Sequence, residues 1–176
     1  MKPTHNLYFR HATTLWFLFS CLLLASCVQK PVKVSEAERK AQDSIVSSIS
    51  NLDSLVKLQK RMEHEGNLLG SIVAYRELGK RVRNDSQFDD ALRFHSEGLT
   101  QAEALGDTLE VVQALNNIGT NYRRMGILDE AINYHYRALH ISEEFSYKDD
   151  RTARKNRVVS LNGIGNICLT LGDKET

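Results

Sequence analysis

Apolar residues return along most of this chain at helical spacing. Ile45, Ile49, Leu52 and Val56 keep it in the first third, and Val158, Leu161, Ile164, Cys168 and Leu171 keep it near the end. A return every three or four residues is one face of an α-helix. Ser35-Glu-Ala-Glu38 has capping-box spacing, with a serine to accept from free N–H groups and a glutamate three residues on. A helix is predicted to start there and to run, with one break, to about Glu65. Gly66-Asn67 supplies the stop, because glycine takes the left-handed conformation that a helix end needs. Further helices are predicted over Leu68–Arg83, Phe88–Ala104, Thr108–Met125, Leu128–Phe145 and Ala153–Leu171. Turns at 84–87, Gly106-Asp107 and Gly126-Ile127 separate the first four, and a polar loop at Ser146–Thr152 precedes the last. No proline follows Pro31 and no strand-like alternation occurs, so the chain reads as all-α.

The pattern also repeats. Gly66, Gly79, Phe88, Ala91 and His95 return 40 positions later as Gly106, Gly119, Leu128, Ala131 and His135. A fixed period of this size is the mark of stacked helical units. Gly79, Gly119 and Gly165 are expected where two antiparallel helices approach too closely for a side chain. Leu78, Ile118 and Ile164 precede them and face the core. Ala91 and Ala131 are small for the same reason on the second helix, and Tyr122 fills the space between helices.

The set Leu115, Ile118-Gly119, Tyr122, Gly126, Ala131 and Ala138 resembles the tetratricopeptide repeat. The 40-residue period exceeds that family's usual length of about 34 and looks like the longer-helix variant of the kinesin light chain type. The resemblance spans roughly Asn51 to Leu171. Gly98, His95 and His135, and Val82 and Cys168 at the position of Tyr122, depart from the family pattern. The resemblance implies a right-handed superhelical array of antiparallel helix pairs. Residues 35–67 would form an N-terminal helical segment and half repeat, 68–107 and 108–147 two repeats, and 148–176 the first helix of a further one. Gly119 and Gly165 stand 46 residues apart, so an insertion lies between these copies. No second helix follows the last one, and the array is expected to be C-terminally incomplete. Its last helix would fray or pair with a second copy of the chain, unless the segment Ser35–Glu65 folds back over it.

Residues 1–26 read as a leader and 27–34 as a tether. Lys2 and Arg10 precede the apolar run Leu15–Ala25, which is shorter than the roughly 20 residues of a membrane-spanning helix. Leu24-Ala25-Ser26-Cys27 resembles the bacterial lipobox, which implies a lipid on Cys27. An ordinary signal peptide or an uncleaved anchor is the alternative. The expected place is the cell envelope, with the chain facing the periplasm, because Val28-Gln-Lys-Pro31 lacks the acidic cluster of a surface-export signal. Cys168 would then be the sole thiol of the mature chain, read as a small buried apolar residue.

Charge narrows the function. The 23 basic and 22 acidic residues are interspersed, with no arm for nucleic acid. No His-Glu-x-x-His pair and no phosphate-binding glycine loop occurs, and His95 and His135 read as packing residues. The expectation is a non-enzymatic protein with no metal and no cofactor. In the family it resembles, the first helix of each repeat lines a concave groove. That face would carry Arg76, Lys80 and Arg83, then Asn116, Asn117, Thr120, Arg123 and Arg124, then Asn162 and Asn166. Amides and guanidinium groups suit a peptide backbone and its carboxylates. Asn117 matches the asparagine that clamps the ligand backbone in related repeats. The expected partners are a protein or peptide in the groove and a membrane through the lipid. A lipobox, a tether and repeats containing Leu115–Arg124 and Ser160–Asn166 also look like the sensory regions of Bacteroidetes-type signalling proteins. In that second reading a histidine kinase or DNA-binding output domain lies beyond residue 176.

Overall fold

A computed structural model describes residues 34–144 and 151–172. The leader, the lipobox at Cys27 and most of the loop at 146–152 lie outside the described residues. The elements are α1 (Glu36–Ser47), α2 (Leu52–His64), α3 (Leu68–Asn84), α4 (Phe88–Leu105), α5 (Thr108–Arg124), α6 (Leu128–Glu144) and α7 (Arg151–Gly172). Every described element is helical, and the fold is an all-α array of antiparallel helix pairs.

Local chemistry sets the boundaries. The Ser35 hydroxyl accepts from the Glu38 N–H at 3.2 Å, and the Glu38 carboxylate accepts from the Ser35 N–H at 2.8 Å, so the capping box that starts α1 is complete. The expected break falls at Ser48, and Asn51 caps α2 through the Ser54 N–H at 2.9 Å. Asn67 and Asp107 cap α3 and α5 in the same way. Gly66, Gly106 and Gly126 take positive φ at the turns. Ser86, 40 residues before Gly126, takes φ 63° in the same role and carries the cost of a side chain there.

Each helix from α2 onward packs on the next, with α3–α4 and α5–α6 as the two hairpins. The first helices of successive repeats also meet, α3 with α5 and α5 with α7, whereas α4 and α6 have no comparable contact. The line α3, α5, α7 is therefore the inner face of the array. Burial repeats with the sequence: residues 91–100 and 131–140 are buried and exposed at the same ten positions. Leu78 and Ile118 are buried in the core, as their place before the contact glycines requires, whereas Ile164, before Gly165, is only half-buried. A Cβ on Gly79 would collide with the His95 ring, and one on Gly119 would meet the His135 ring at 3.0 Å and the Ala131 carbonyl at 3.1 Å.

The two ends of the array differ from the sequence reading. Among the described residues, nothing outside Gly165's own stretch of helix lies within 4 Å of where its Cβ would stand, so its expected helix contact does not form there. The glycine of α7 that meets a neighbour is Gly163, against His135. Cys168, expected to be buried, is exposed. The reason is common to both. Gly165 and Cys168 lie on the side of α7 that faces away from α6, with Val158 (54% exposed), Leu161 (50%) and Leu171 (42%). Their counterparts Val112 and Leu115 on α5 are sealed by α6. The N-terminal segment does not fold back over this face. Its helix α1 lies on α3 instead. Amides of α7 are therefore expected to exchange with solvent deuterium at much lower free energy than those of α5 and α6. Equal protection in a demonstrated monomer would mean that this face is covered.

Candidate interaction face

The inner face begins with an ion cluster that the sequence did not announce. Arg39 of α1 forks onto two carboxylates of α5, one nitrogen on Asp107 and the other on Glu110. Arg76 of α3 donates to the second oxygen of Glu110 at 2.8 Å and pairs with Asp43 of α1. Asp107 accepts the Glu110 N–H at 3.1 Å as the cap of α5, which fixes both carboxylates at a helix N-terminus, where the helix dipole favours negative charge. Burial works against the charge of Arg39, but Glu110 and Asp107 overcome it and hold its pKa above the usual arginine value. Arg39, Asp43, Asp107 and Glu110 were absent from the expected site. Asp107-Thr-Leu-Glu110 reads as an ordinary helix start, and Arg39 as the surface of a capped helix. Only their juxtaposition gives them a role.

A second cluster sits where α5, α6 and α7 meet. The Asn116 carboxamide oxygen accepts from the Ser160 hydroxyl at 2.9 Å and lies 3.0 Å from His135 Nδ1. Since that oxygen can only accept, His135 donates through Nδ1 and leaves Nε2 bare, and Nε2 has no partner among the described residues. The Asn116 amide nitrogen donates to the Asn156 carbonyl at 3.0 Å. Asn116 is thus a buried linker between repeats and not a groove residue, which corrects the expectation. Its side chain points toward the next repeat, as that of Arg76 does one repeat earlier.

The remaining candidates divide. Arg76, expected to be free for a ligand, is engaged by Asp43 and Glu110. Lys80 stays half exposed, and burial followed by the nearby Arg76 charge lowers its pKa. Arg83 reaches across to α5, where it donates to the Asn121 side-chain oxygen at 3.4 Å, and burial followed by Arg124 and Arg123 lowers its pKa. Asn117 is half-buried beside Ala114 and His95, and Thr120 turns its hydroxyl back onto the Asn116 carbonyl at 2.8 Å. Arg123 is half-buried and Arg124 exposed. Asn162 and Asn166 are exposed on α7. The structure brings Lys80, Arg83, Asn117, Thr120, Arg123 and Arg124 onto neighbouring first helices. Asn116 is withdrawn and Arg76 occupied.

The outer helices complete the repeat geometry. Tyr122 stacks on Tyr134 with ring centroids 5.5 Å apart, and Ala131 and Ala138 are fully buried against α5. Residues 70–144 match the family model of the tetratricopeptide repeat. That stretch is a tetratricopeptide-repeat array. Such repeats form protein-interaction modules, and the family is typically a non-enzymatic scaffold. No curated protein matches the chain. Among the described residues no group of three or more His, Cys, Asp or Glu side chains could hold a metal ion. No described helix is long and apolar enough to cross a membrane.

Proposed function

We propose that this chain is a non-enzymatic module that binds a protein or peptide segment on the inner face of its repeats and is held at the cell envelope, facing the periplasm, by a lipid on Cys27. One observation carries the binding half. The inner face already accepts a helix laid across two first helices: α1 rests on α3 and reaches α5 through Arg39. Beside it, Asn117, Lys80 and Arg83 offer donors to a further segment. A photo-crosslinking side chain at Asn117 should trap a partner in cells. The same group at Tyr136, exposed on the outer helix α6, should not. Equal adducts at both positions would dismiss the inner face as the binding surface.

The anchoring half rests on Leu24-Ala25-Ser26-Cys27 behind an apolar run. Stable attachment takes about two acyl chains, which a bacterial lipoprotein carries. A fatty-acid probe fed to cells is expected to label the wild type and not Cys27→Ser. Labelling of both to the same extent would refute the anchor.

A second reading makes the chain the sensor portion of a signal-transduction protein. The uncovered side of α7 favours it, since Val158, Leu161 and Gly165 offer the surface on which α5 receives α6. A membrane span and an output domain encoded after residue 176 would decide for this reading.

A further inference from the structure

We propose that Asp107 and Glu110 form an arginine-binding site on the inner face, that α1 is its occupant in cis, and that the protein's partner is a helical segment whose arginine competes with α1 for the same two carboxylates. This rests on the reading of the inner face as a binding surface and names the chemistry that surface selects.

Three features separate α1 from the helices of the array. Every helix from α3 onward packs along the one before it, but α1 does not pack along α2, which follows it in sequence. Of its 12 residues only Arg39 and Val46 are buried. Val46 joins the core with Leu55, Leu58 and Met62 of α2 and Val73, Ala74 and Leu78 of α3. It sits in the last turn, next to the link that leads to α2. The rest of α1 is held by polar contacts: Arg39 on Asp107 and Glu110, Asp43 on Arg76, and a 3.4 Å contact from Asn67 to Gln42. Helices that belong to a core are normally held by an apolar stripe. Lifting α1 about residues 48–51 would uncover little apolar surface.

The carboxylates, by contrast, are built into the array. Asp107 is held by its cap on α5 and Glu110 by Arg76 of α3, and neither restraint needs α1. The side chains of Asp107 and Glu110 are 2% and 3% exposed with Arg39 in place. Without Arg39, Arg76 is the one ion-pair partner the described residues leave to these two carboxylates, with Arg151 and Lys155 of α7 lining the same cavity but not paired to them, and a buried charge without its partner is strongly disfavoured. The site therefore calls for a cation from outside α3 and α5. A guanidinium fits because its two terminal nitrogens reach both acids at once, which the single ammonium of lysine does not. The spacing of Arg39 and Asp43, one turn apart on one face of α1, gives the partner its pattern: an arginine for Asp107 and Glu110, and an acid four residues later for Arg76.

Competition has a threshold. A short link places the cis occupant at an effective concentration of about millimolar, so weak arginine-bearing segments are excluded and stronger ones displace α1. The test uses the full chain in detergent and a fluorescent peptide of the α1 sequence, Val34 to Ser48. Arg39→Glu in the chain should expel its own α1 by setting a carboxylate against two others. The variant should then bind the peptide at least about tenfold more tightly than the wild type does, because the site is no longer occupied. Adding Glu110→Gln to that chain, or placing Arg39→Ala in the peptide, should abolish the gain. Hydrogen exchange of α3–α6 is read in parallel. An Arg39→Glu chain whose α3–α6 protection collapses would overturn the proposal, since α1 would then be part of the fold. Peptide affinity unchanged by Arg39→Glu in a folded array would overturn it too. A gain that survives Glu110→Gln would overturn the arginine site while leaving the inner face as a binding surface.

Discussion

Acidification from pH 7 to pH 4 is expected to unfold the repeat array, and His95 and His135 set the loss. Both rings are sealed between helices, 2% and 1% exposed. Burial, with the charges of Arg83, Lys80 and Arg76 behind it, pushes the His95 pKa from 6.5 down to about 3. Burial and Arg123 push that of His135 down to about 4. In the unfolded chain each imidazole takes a proton below about pH 6.5. In the folded chain it stays neutral until much lower pH. Between those values the unfolded state binds more protons, so the stability present above pH 6.5 is lost as the pH falls. The slope is about 1.4 kcal/mol per pH unit for each histidine, against a total stability of about 5–15 kcal/mol for a domain. Urea midpoints measured from pH 7 to pH 4.5 should therefore fall steeply in the wild type. They should fall about half as steeply in His95→Gln or His135→Gln. Midpoints that stay level in the wild type over this range would mean that the rings are protonated inside the fold.

What the sequence made legible was whatever repeats. Gly79 and Gly119, Ala91 and Ala131, and His95 and His135 stand 40 residues apart, and the structure gives each pair the same place. Helix ends fell within one or two residues of expectation because their causes are local: the Ser35 box, the Asn51 and Asn67 caps, the glycines at 66, 106 and 126. Periodicity failed at α7. Gly165 matches Gly119 in sequence, but its side of α7 meets no second helix among the described residues, so the match carries no contact.

The site was legible only in part, for a different reason. Helical spacing says which residues share a face. It does not say whether that face meets solvent, a neighbouring repeat or a stray segment. Asn116 and Asn117 are adjacent in sequence, yet one closes the seam to α7 and the other stays half-buried beside His95. Arg76 looked free because its partners lie 33 positions before it and 34 after it. The position of α1 was the least legible feature. Its capping box and apolar spacing describe a helix, but what places it is a long-range pairing of Arg39 with Asp107 and Glu110, which no local pattern encodes.

Gly119→Leu is expected to cost about 3 kcal/mol, the upper part of the range for overpacking a filled core. A Cβ alone would stand 3.0 Å from the His135 ring and 3.1 Å from the Ala131 carbonyl. The rest of a leucine has nowhere to go. His135 cannot swing aside freely, because Nδ1 is tied to Asn116 and the other side of its ring faces Gly163. Alanine at Gly119 should be far milder, since its gain of about 1 kcal/mol in helix propensity offsets the tight contact. Thermal melting should drop by roughly 6–12 °C for the leucine variant in a chain of this size. Two further substitutions give the measurement its meaning. Gly165→Ala, at the matching position of α7 where no other described element lies within 4 Å, should raise the melting temperature. His135→Ala added to Gly119→Leu should recover part of the loss, the positive coupling expected of side chains that compete for one space. A leucine at Gly119 that melts like the wild type would mean that α5 and α6 do not close on each other at this glycine, and the repeat geometry would have to be redrawn.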